Sequence, residues 1–269
     1  MNTLEKIIQY KKEEVAERKS LYPIDLLKQQ VHYAAKPVSL KKYIQDPSKS
    51  GIIAEFKRKS PSEGVINQHA QVEEVSIGYM QAGSSALSIL TDKPSFGGDL
   101  EDLKTARKFN FCPILRKDFM IDPYQVHEAK ANGADAILLI AAAISPETAK
   151  ELADVAHELG MEVLLEVHNQ EEIDSHMGDY VDLIGVNSRD LKTFETDLNK
   201  LEELINSLPK DLVKVAESGI KTADDVVRLK QMGFEGFLIG TTFMKSTHPE
   251  KACQNFSNKL SSFFHLSSS

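Results

Sequence analysis

Short runs rich in Ile, Leu and Val recur from Gly51 onward, about every 20 to 30 residues, with amphipathic stretches between them. Eight runs fit this pattern: Ile52–Lys57, Ala86–Leu90, Pro113–Lys117, Ala136–Ile140, Val163–Val167, Leu183–Asn187, Val213–Glu217 and Gly236–Gly240. Runs that are almost continuously apolar are typical of strands buried on both faces, as in a parallel sheet. The pattern therefore predicts eight parallel strands.

The stretches between the runs contain signals for the starts and ends of helices. Asp122 and Ser145 each precede a proline, and Asn169 lies three residues before Glu172, so each of the three can cap a helix. Four glycines stand a few residues before the next run, where a left-handed residue can end a helix. They are Gly83, Gly133, Gly160 and Gly233. The repeating unit is a strand, a loop and a helix.

Eight such units in roughly 220 residues match a closed (β/α)₈ barrel in number and size. The alternative is an open, doubly wound parallel sheet. That fold usually has a glycine-rich phosphate loop after its first strand. The segment Lys57–Ser62 contains no glycine, so the sequence favours the barrel.

The first fifty residues have a different pattern, rich in Lys, Glu and Gln, with Leu4, Ile7, Ile8 and Val15 at helical spacing. A proline and the polar segment 46–50 end this pattern before the first apolar run. We therefore expect an N-terminal helical extension over residues 1–50 that packs on the barrel, the barrel itself over residues 51–266, and a polar tail over residues 267–269.

The charge of the chain limits its partners. Its 269 residues include 32 basic and 40 acidic side chains, which gives a net charge of −8 and no general attraction to nucleic acid or to anionic membranes. The two cysteines, Cys112 and Cys253, show neither metal-ligand spacing nor a disulfide framework. The sequence has no signal-peptide pattern and no apolar run of the roughly 20 residues that span a bilayer. We expect a soluble protein of the cytoplasm.

Charged and polar side chains stand at the carboxyl ends of several runs, where a barrel has its active site. Side chains alternate along a strand, so Glu55 and Lys57 share one face, and Ala54 and Phe56 share the other. The apolar face should meet helices, which directs the two charged residues into the barrel mouth. The same alternation directs five further residues inward: Lys117, Glu166, Asn187, Arg189 and Glu217.

Three cations and three anions of this set balance one another, which reduces the cost of burying them and shifts their titration. Such a cluster can supply acids and bases near neutral pH. Any single member could be a solvated residue at a strand end, but the coincidence of six favours an active site. Arg58 and Lys59, by contrast, are expected to be solvated in the first loop. The histidines show no metal-ligand spacing and are given no catalytic role.

The last two strands are followed by Ser218-Gly219 and Gly240-Thr241. Barrels often bind phosphate with these two loops, where glycine lets backbone N–H groups approach an anion and a helix N-terminus faces it. The pattern predicts a phosphorylated substrate. The alternative is that the glycines only permit tight turns.

Four segments, in order along essentially the whole chain, resemble the indole-3-glycerol-phosphate synthases of tryptophan biosynthesis. These segments are Ile53–Ser62, Leu115–Phe119, Gly185–Leu191 and Val215–Ile220. The closing segment Leu238–Met244 is also similar, although family members more often carry serine where Thr241 stands.

The resemblance implies an enzyme that converts 1-(2-carboxyphenylamino)-1-deoxyribulose 5-phosphate to indole-3-glycerol phosphate, carbon dioxide and water, without a cofactor or metal. It implies Lys117 as the acid of ring closure and Glu55 and Glu166 as proton-transfer carboxylates. The full catalytic set implied is Glu55, Lys57, Lys117, Glu166, Asn187, Glu217 and Ser218. The set implied to bind the substrate or its phosphate is Ser60, Arg189, Gly219, Gly240 and Thr241.

Two other functions fit part of the pattern. A Schiff-base aldolase also uses an inward lysine beside a phosphate site, with Lys117 as the amine. A phosphate-binding barrel without chemistry could serve as a regulator or scaffold, although it would have no physical need to bury such a charge cluster. We expect a monomer or a weak homodimer whose partner is a small phosphorylated molecule.

Overall fold

The computed structural model describes residues 2–187 and 198–266. Arg189 and the expected tail 267–269 lie outside the described residues. Eight of the strands in the described part form one sheet: β1 (Ile52–Phe56), β2 (Ala86–Leu90), β3 (Ile114–Lys117), β4 (Ala136–Ile140), β5 (Glu162–Val167), β6 (Leu183–Asn187), β7 (Val213–Glu217) and β8 (Gly236–Ile239). Each coincides with a predicted run to within one residue.

The sheet is a closed barrel of parallel strands in sequential order. Closure occurs at β1, which pairs with β8 through Ile53 and Leu238 and with β2 through Ile53 and Ala86. The barrel prediction is therefore confirmed, and the open doubly wound sheet is wrong. Because all strands are parallel, their carboxyl ends meet at one mouth.

Helices cover the outside of the barrel. In the described residues they are α1 (Thr3–Leu21), α2 (Ile24–Leu27), α3 (Leu40–Gln45), α4 (Val72–Gln81), α5 (Lys93–Phe96), α6 (Leu100–Phe109), α7 (Pro123–Ala131), α8 (Pro146–Glu158), α9 (Gln170–His176), α10 (Leu198–Asn206), α11 (Ala223–Gln231), α12 (Thr241–Met244) and α13 (Pro249–Leu266). None of these is both long and apolar enough to cross a membrane.

The predicted helix signals act as expected. Asp122, Ser145 and Asn169 are the N-caps of α7, α8 and α9, and each accepts a hydrogen bond from a backbone N–H of the first turn. The four glycines before the strands all have positive φ, between 72° and 103°. The list is Gly83, Gly133, Gly160 and Gly233.

The sheet separates two apolar clusters, one outside the barrel and one inside it. The outward faces of the strands pack against the helices, as Ala54 and Phe56 do. The inward faces form a second cluster, which Leu40 and Ile44 of α3 join. Gly236 leaves room there, since a Cβ atom on it would lie 3.3 Å from Cδ1 of Ile44. Helix α3 therefore packs beneath the barrel and fills its amino end, which leaves the carboxyl end as the mouth.

Helix α1 is joined to the barrel by buried charges. Lys11 has no exposed surface, and its Nζ lies 2.8 Å from Oδ1 of Asp92 and 2.9 Å from Oδ1 of Asp118. Asp118 also pairs with Arg116, which extends the network to Glu128 of α7. Burial by itself raises the pKa of Asp118, but the cations of Lys11 and Arg116 bring it below its ordinary value. These contacts hold α1 over the mouth.

Replacement of Lys11 by methionine should lower the free energy of unfolding by about 3–5 kcal/mol, because it leaves buried carboxylates without their cation. Lys12→Met changes the neighbouring exposed lysine of the same helix and should have an effect of less than about 0.5 kcal/mol. Urea unfolding of both variants provides the measurement. Equal stabilities would contradict a structural role for the Lys11 pairs.

Candidate active site

A pocket opens at the carboxyl ends of the strands. Every described residue that the sequence marked as catalytic or ligand-binding lines it: Glu55, Lys57, Ser60, Lys117, Glu166, Asn187, Glu217, Ser218, Gly219, Gly240 and Thr241. The alternation of side chains in the strands explains this, since Glu55, Lys117, Glu166 and Glu217 each follow an inward apolar residue by two positions and Lys57 follows Glu55 in the same way. The position of Arg189 lies outside the described residues.

Lys117, at the end of β3, lies at the centre of the charges. Its Nζ is 2.9 Å from Oε2 of Glu217 on β7 and 3.4 Å from Oε2 of Glu166 on β5. The second oxygen of Glu166 accepts a hydrogen bond of 2.9 Å from Nδ2 of Asn187 on β6. Side chains from four strands thus form one connected network.

Burial and charge act in opposite directions on these groups. Burial alone lowers the pKa of Lys117, but Glu217, Glu166 and Glu55 raise it far above its ordinary value, so Lys117 is charged at neutral pH. Burial raises the pKa of Glu166, yet Lys117 and His168 bring it well below its ordinary value. Burial raises the pKa of Glu217 to about 8, and the charge of Glu166 adds to this rise. Glu166 is therefore ionised, whereas Glu217 holds its proton more tightly.

A second ion pair lies at the carboxyl end of β1. Nζ of Lys57 is 3.0 Å from Oε1 of Glu55, and Oγ of Ser88 donates to Oε2 of Glu55 at 3.3 Å. Burial raises the pKa of Glu55, but Lys57 and Lys117 lower it below its ordinary value. Glu55 is therefore ionised at neutral pH, although only 3% of its surface is exposed.

Two glycines make space for these carboxylates. A Cβ atom on Gly185 would lie 2.1 Å from Oε1 of Glu217, and one on Gly240 would lie 2.6 Å from Oε1 of Glu55. Real Cβ atoms do not approach other atoms so closely. The sequence interpretation assigned Gly240 to phosphate binding or to a turn, whereas its missing side chain also accommodates Glu55.

The loops after β7 and β8 have a suitable geometry for an anion. Ser218 and Gly219 are consecutive left-handed residues, with φ of 67° and 74°. The hydroxyl of Thr242 donates to the backbone oxygen of Ile220 at 2.6 Å, which joins the two loops. Gly240 and Thr241 begin the short helix α12 beside them. Successive backbone N–H groups in such turns can point towards one anion.

The loop after β1 forms a small hairpin in which Lys59–Ser60 pairs with Gly64–Val65. Arg58 differs from the expectation of a solvated side chain, because its guanidinium binds the carboxylate of Asp102 on α6 and the oxygen of Gly97. Ser60 is buried against the pocket. No local sequence pattern predicts this pairing, because Asp102 lies 44 residues away from Arg58.

One wall of the pocket is apolar, and sequence reasoning missed it. Leu4 and Ile7 of α1 lie on this wall with Phe96 and Phe119. The two aromatic rings are 6.0 Å apart between centroids. The position of Phe119, two residues after Lys117, was an available signal, but the contribution of α1 depends on how that helix packs on the mouth.

Sequence reasoning also missed His168. This side chain is 8% exposed, and its Nε2 lies 3.2 Å from Oε1 of Glu166. Strand alternation was the available signal, because His168 follows the inward Glu166 by two residues. The described residues contain no group of acidic, histidine or cysteine side chains arranged to hold a metal ion.

A closed (β/α)₈ barrel that holds lysine and glutamate side chains at the carboxyl ends of its strands, beside two loops whose geometry suits an anion, belongs to the class of barrel enzymes with acid–base chemistry. Comparison with known sequences narrows this class. The sequence profile described as Indole-3-glycerol phosphate synthase matches residues 4–256. The chain belongs to the indole-3-glycerol phosphate synthase family.

Curated relatives with that name agree over nearly the whole chain. The protein of Bacteroides thetaiotaomicron is 50% identical over 253 residues, which cover 94% of this chain and 96% of the relative. That of Caldanaerobacter subterraneus is 43% identical over 244 residues, which cover 90% and 93%.

Solved structures with little sequence identity share the fold. A mutant tryptophan synthase alpha-subunit from Pyrococcus furiosus has a TM-score of 0.61 at 15% identity and covers 80% of this chain and 99% of its own. The 3-hexulose-6-phosphate synthase of Salmonella typhimurium has a TM-score of 0.62 at 12% identity, with 78% and 98% covered.

Replacement of Gly185 by alanine should displace the carboxylate of Glu217 from Lys117 and lower enzymatic turnover at least about tenfold, because a misplaced catalytic group loses its effective concentration. Gly83→Ala is the matched control. Gly83 has a positive φ of 88° and open space around it, so alanine there should cost about 1 kcal/mol of stability and leave turnover unchanged. Full activity in Gly185→Ala would show that the contact with Glu217 has no importance.

Proposed function

We propose that this pocket converts 1-(2-carboxyphenylamino)-1-deoxy-D-ribulose 5-phosphate to indole-3-glycerol phosphate, carbon dioxide and water, as a carboxy-lyase of tryptophan biosynthesis. The observation that carries the proposal is the position of Lys117, a charged lysine between the carboxylates of Glu166 and Glu217. The pocket combines this proton donor with an apolar wall on one side and the anion-binding loops on another.

These surfaces suit the three parts of the substrate. The phosphate binds the backbone of the loops after β7 and β8, at Gly219, Gly240 and Thr241, with Ser60 contributing from the first loop. The carboxyphenyl ring packs on the apolar wall, against Phe96 and Phe119. The ketone of the sugar chain then lies between them, within reach of the lysines.

In ring closure, the aryl carbon that bears the carboxylate attacks the ketone. The carbonyl oxygen takes a proton from Lys117 as the new carbon–carbon bond forms. A developing alkoxide is a stronger base than an amine, so the raised pKa of Lys117 does not prevent this transfer and keeps the donor loaded. Glu217 orients Lys117, and the proton that its raised pKa retains can return to the lysine.

Loss of carbon dioxide from the crowded ring carbon then returns the bonding electrons to the ring. The hydroxyl formed in the first step leaves as water after it receives a proton, and a base removes a proton from the adjacent carbon. Glu166 and Glu55 are available to accept that proton, since a pKa below the ordinary value keeps each unprotonated before the step. Lys57 lies beside Glu55, where it can attract the substrate carboxylate and assist the departure of water.

The remaining side chains hold the substrate. Asn187 and Ser218 bind polar atoms of the intermediate, and Asn187 also fixes Glu166 through its hydrogen bond. The family resemblance also implies that Arg189, which lies outside the described residues, binds the substrate. We propose that a monomer or weak homodimer in the cytoplasm is active.

The environment of Lys117 argues against the aldolase alternative. A Schiff base forms from a neutral amine, and the acidic side chains around Lys117 raise its pKa far above the ordinary value. Borohydride reduction with a keto-sugar phosphate should leave no adduct on lysine.

Lys117→Met should lower turnover by about 10²- to 10⁴-fold, because a positioned acid is lost while the side-chain volume is kept. Lys93→Met, at a lysine whose side chain is 80% exposed, is the control and should have normal turnover. The chain contains no tryptophan, so indole fluorescence reports the product directly. Normal product formation by Lys117→Met would refute the assignment.

Inorganic phosphate should compete with the substrate, and Thr242→Val should weaken this inhibition about three- to tenfold, since one hydrogen bond that joins the two loops is lost. Steady-state kinetics should show a similar rise in KM with little change in kcat. Inhibition that does not compete with the substrate would place the phosphate elsewhere.

A further inference from the structure

His168 stands between two carboxylates at the end of β5. Its Nε2 lies 3.2 Å from Oε1 of Glu166, and its Nδ1 lies 3.2 Å from Oε2 of Glu172. Nδ1 forms a hydrogen bond with Glu172, whereas Nε2 is buried without a hydrogen bond in the described part of the chain and meets Glu166 through charge alone. An imidazole with a carboxylate at each nitrogen is therefore stabilised as the doubly protonated cation.

Helix α9 fixes the outer side of this arrangement. Oε2 of Glu172 accepts the backbone N–H of His168 at 2.7 Å, and its Oε1 accepts Nδ2 of Asn169, the N-cap of α9, at 3.0 Å. A carboxylate in the first turn of a helix is also stabilised by the helix dipole. The ring of His168 is thus tied to the helix start and faces Glu166 with a fixed orientation.

The inner side is the catalytic network. Glu166 meets Lys117 at Oε2 and the ring of His168 at Oε1, and Oε1 accepts its hydrogen bond from Nδ2 of Asn187. Lys117 becomes neutral when it donates its proton in ring closure. During that step His168 remains a cation beside Glu166 and compensates its charge.

We propose that His168 is a positioning residue, held by Glu172, that orients Glu166 and keeps it ionised while Lys117 transfers its proton. This inference rests on the proposed function and adds a residue outside the direct contacts with the substrate. Burial lowers the pKa of His168, but its contacts with Glu166 and Glu172 raise it to about 10, which agrees with the geometry.

The pH dependence of kcat is set by the charged groups around His168 and Glu166. In the described residues, Glu166 and Glu172 face His168, and Lys117 and Glu217 lie on the far side of Glu166. Loss of the imidazolium removes a cation from Glu166, so the pKa of Glu166 rises. At low pH, kcat falls as Glu166 becomes protonated. This acid limb of the kcat–pH profile should therefore move to higher pH.

The test uses His168→Asn in the full chain. The amide nitrogen of asparagine can replace Nδ1 towards Glu172 but cannot reach Glu166. We expect kcat to fall about ten- to hundredfold, KM to change less than about threefold, and the acid limb to rise by about one pH unit. His176→Asn is the matched control, since His176 is equally buried and contacts Ser175 and the oxygen of Ile144 instead of the site.

A normal kcat and pH profile in His168→Asn, or a change no larger than in His176→Asn, would overturn the proposal. If His168→Asn does not fold, Glu172→Gln provides the same test, because it removes only the outer charge and should lower the pKa of His168. Histidine ¹⁵N NMR of the wild-type chain gives a readout independent of the reaction. Both nitrogens of His168 should carry protons at pH 8, and a neutral ring would contradict the inference. Absence of indole-3-glycerol phosphate from the wild-type reaction would instead refute the proposed function.

Discussion

The charge of Lys117 is the constraint on which the mouth of the barrel depends. A buried ammonium group is stable only when acidic partners compensate it, and here Glu166 comes from β5 and Glu217 from β7 while the lysine comes from β3. The three strands can supply these groups to one point only because the sheet closes on itself. Closure of the barrel and stability of its ionised site are therefore two consequences of the same packing.

The same principle appears at the second buried cation. Lys11 binds Asp118, which directly follows Lys117, so the contact that holds α1 over the mouth is adjacent to the group at its centre. Helix α1 in turn places Leu4 and Ile7 on the apolar wall. The N-terminal extension thus completes the pocket in addition to covering the barrel.

Space is as important as charge at this site. The carboxylates of Glu217 and Glu55 fit against the strands because Gly185 and Gly240 have no side chains. Ion pairs of this kind need fixed distances of about 3 Å, and the glycines permit them without shifting the backbone. The Glu172–His168 pair then supports Glu166 from outside the pocket.

The sequence by itself determined the local features. Alternating and apolar runs predicted the strands and their inward faces, and Asp122, Ser145 and the four glycines predicted helix ends, because caps and left-handed turns depend on a few adjacent residues. Tertiary structure decided which distant groups meet: Lys11 with Asp92, Arg58 with Asp102, and α1 with the pocket. Strand alternation places His168 on the inward face, but its role depends on its contact with Glu172 of α9, which only the tertiary structure shows. Contacts between distant segments depend on the closure and packing of the barrel, so a local periodic pattern does not predict them.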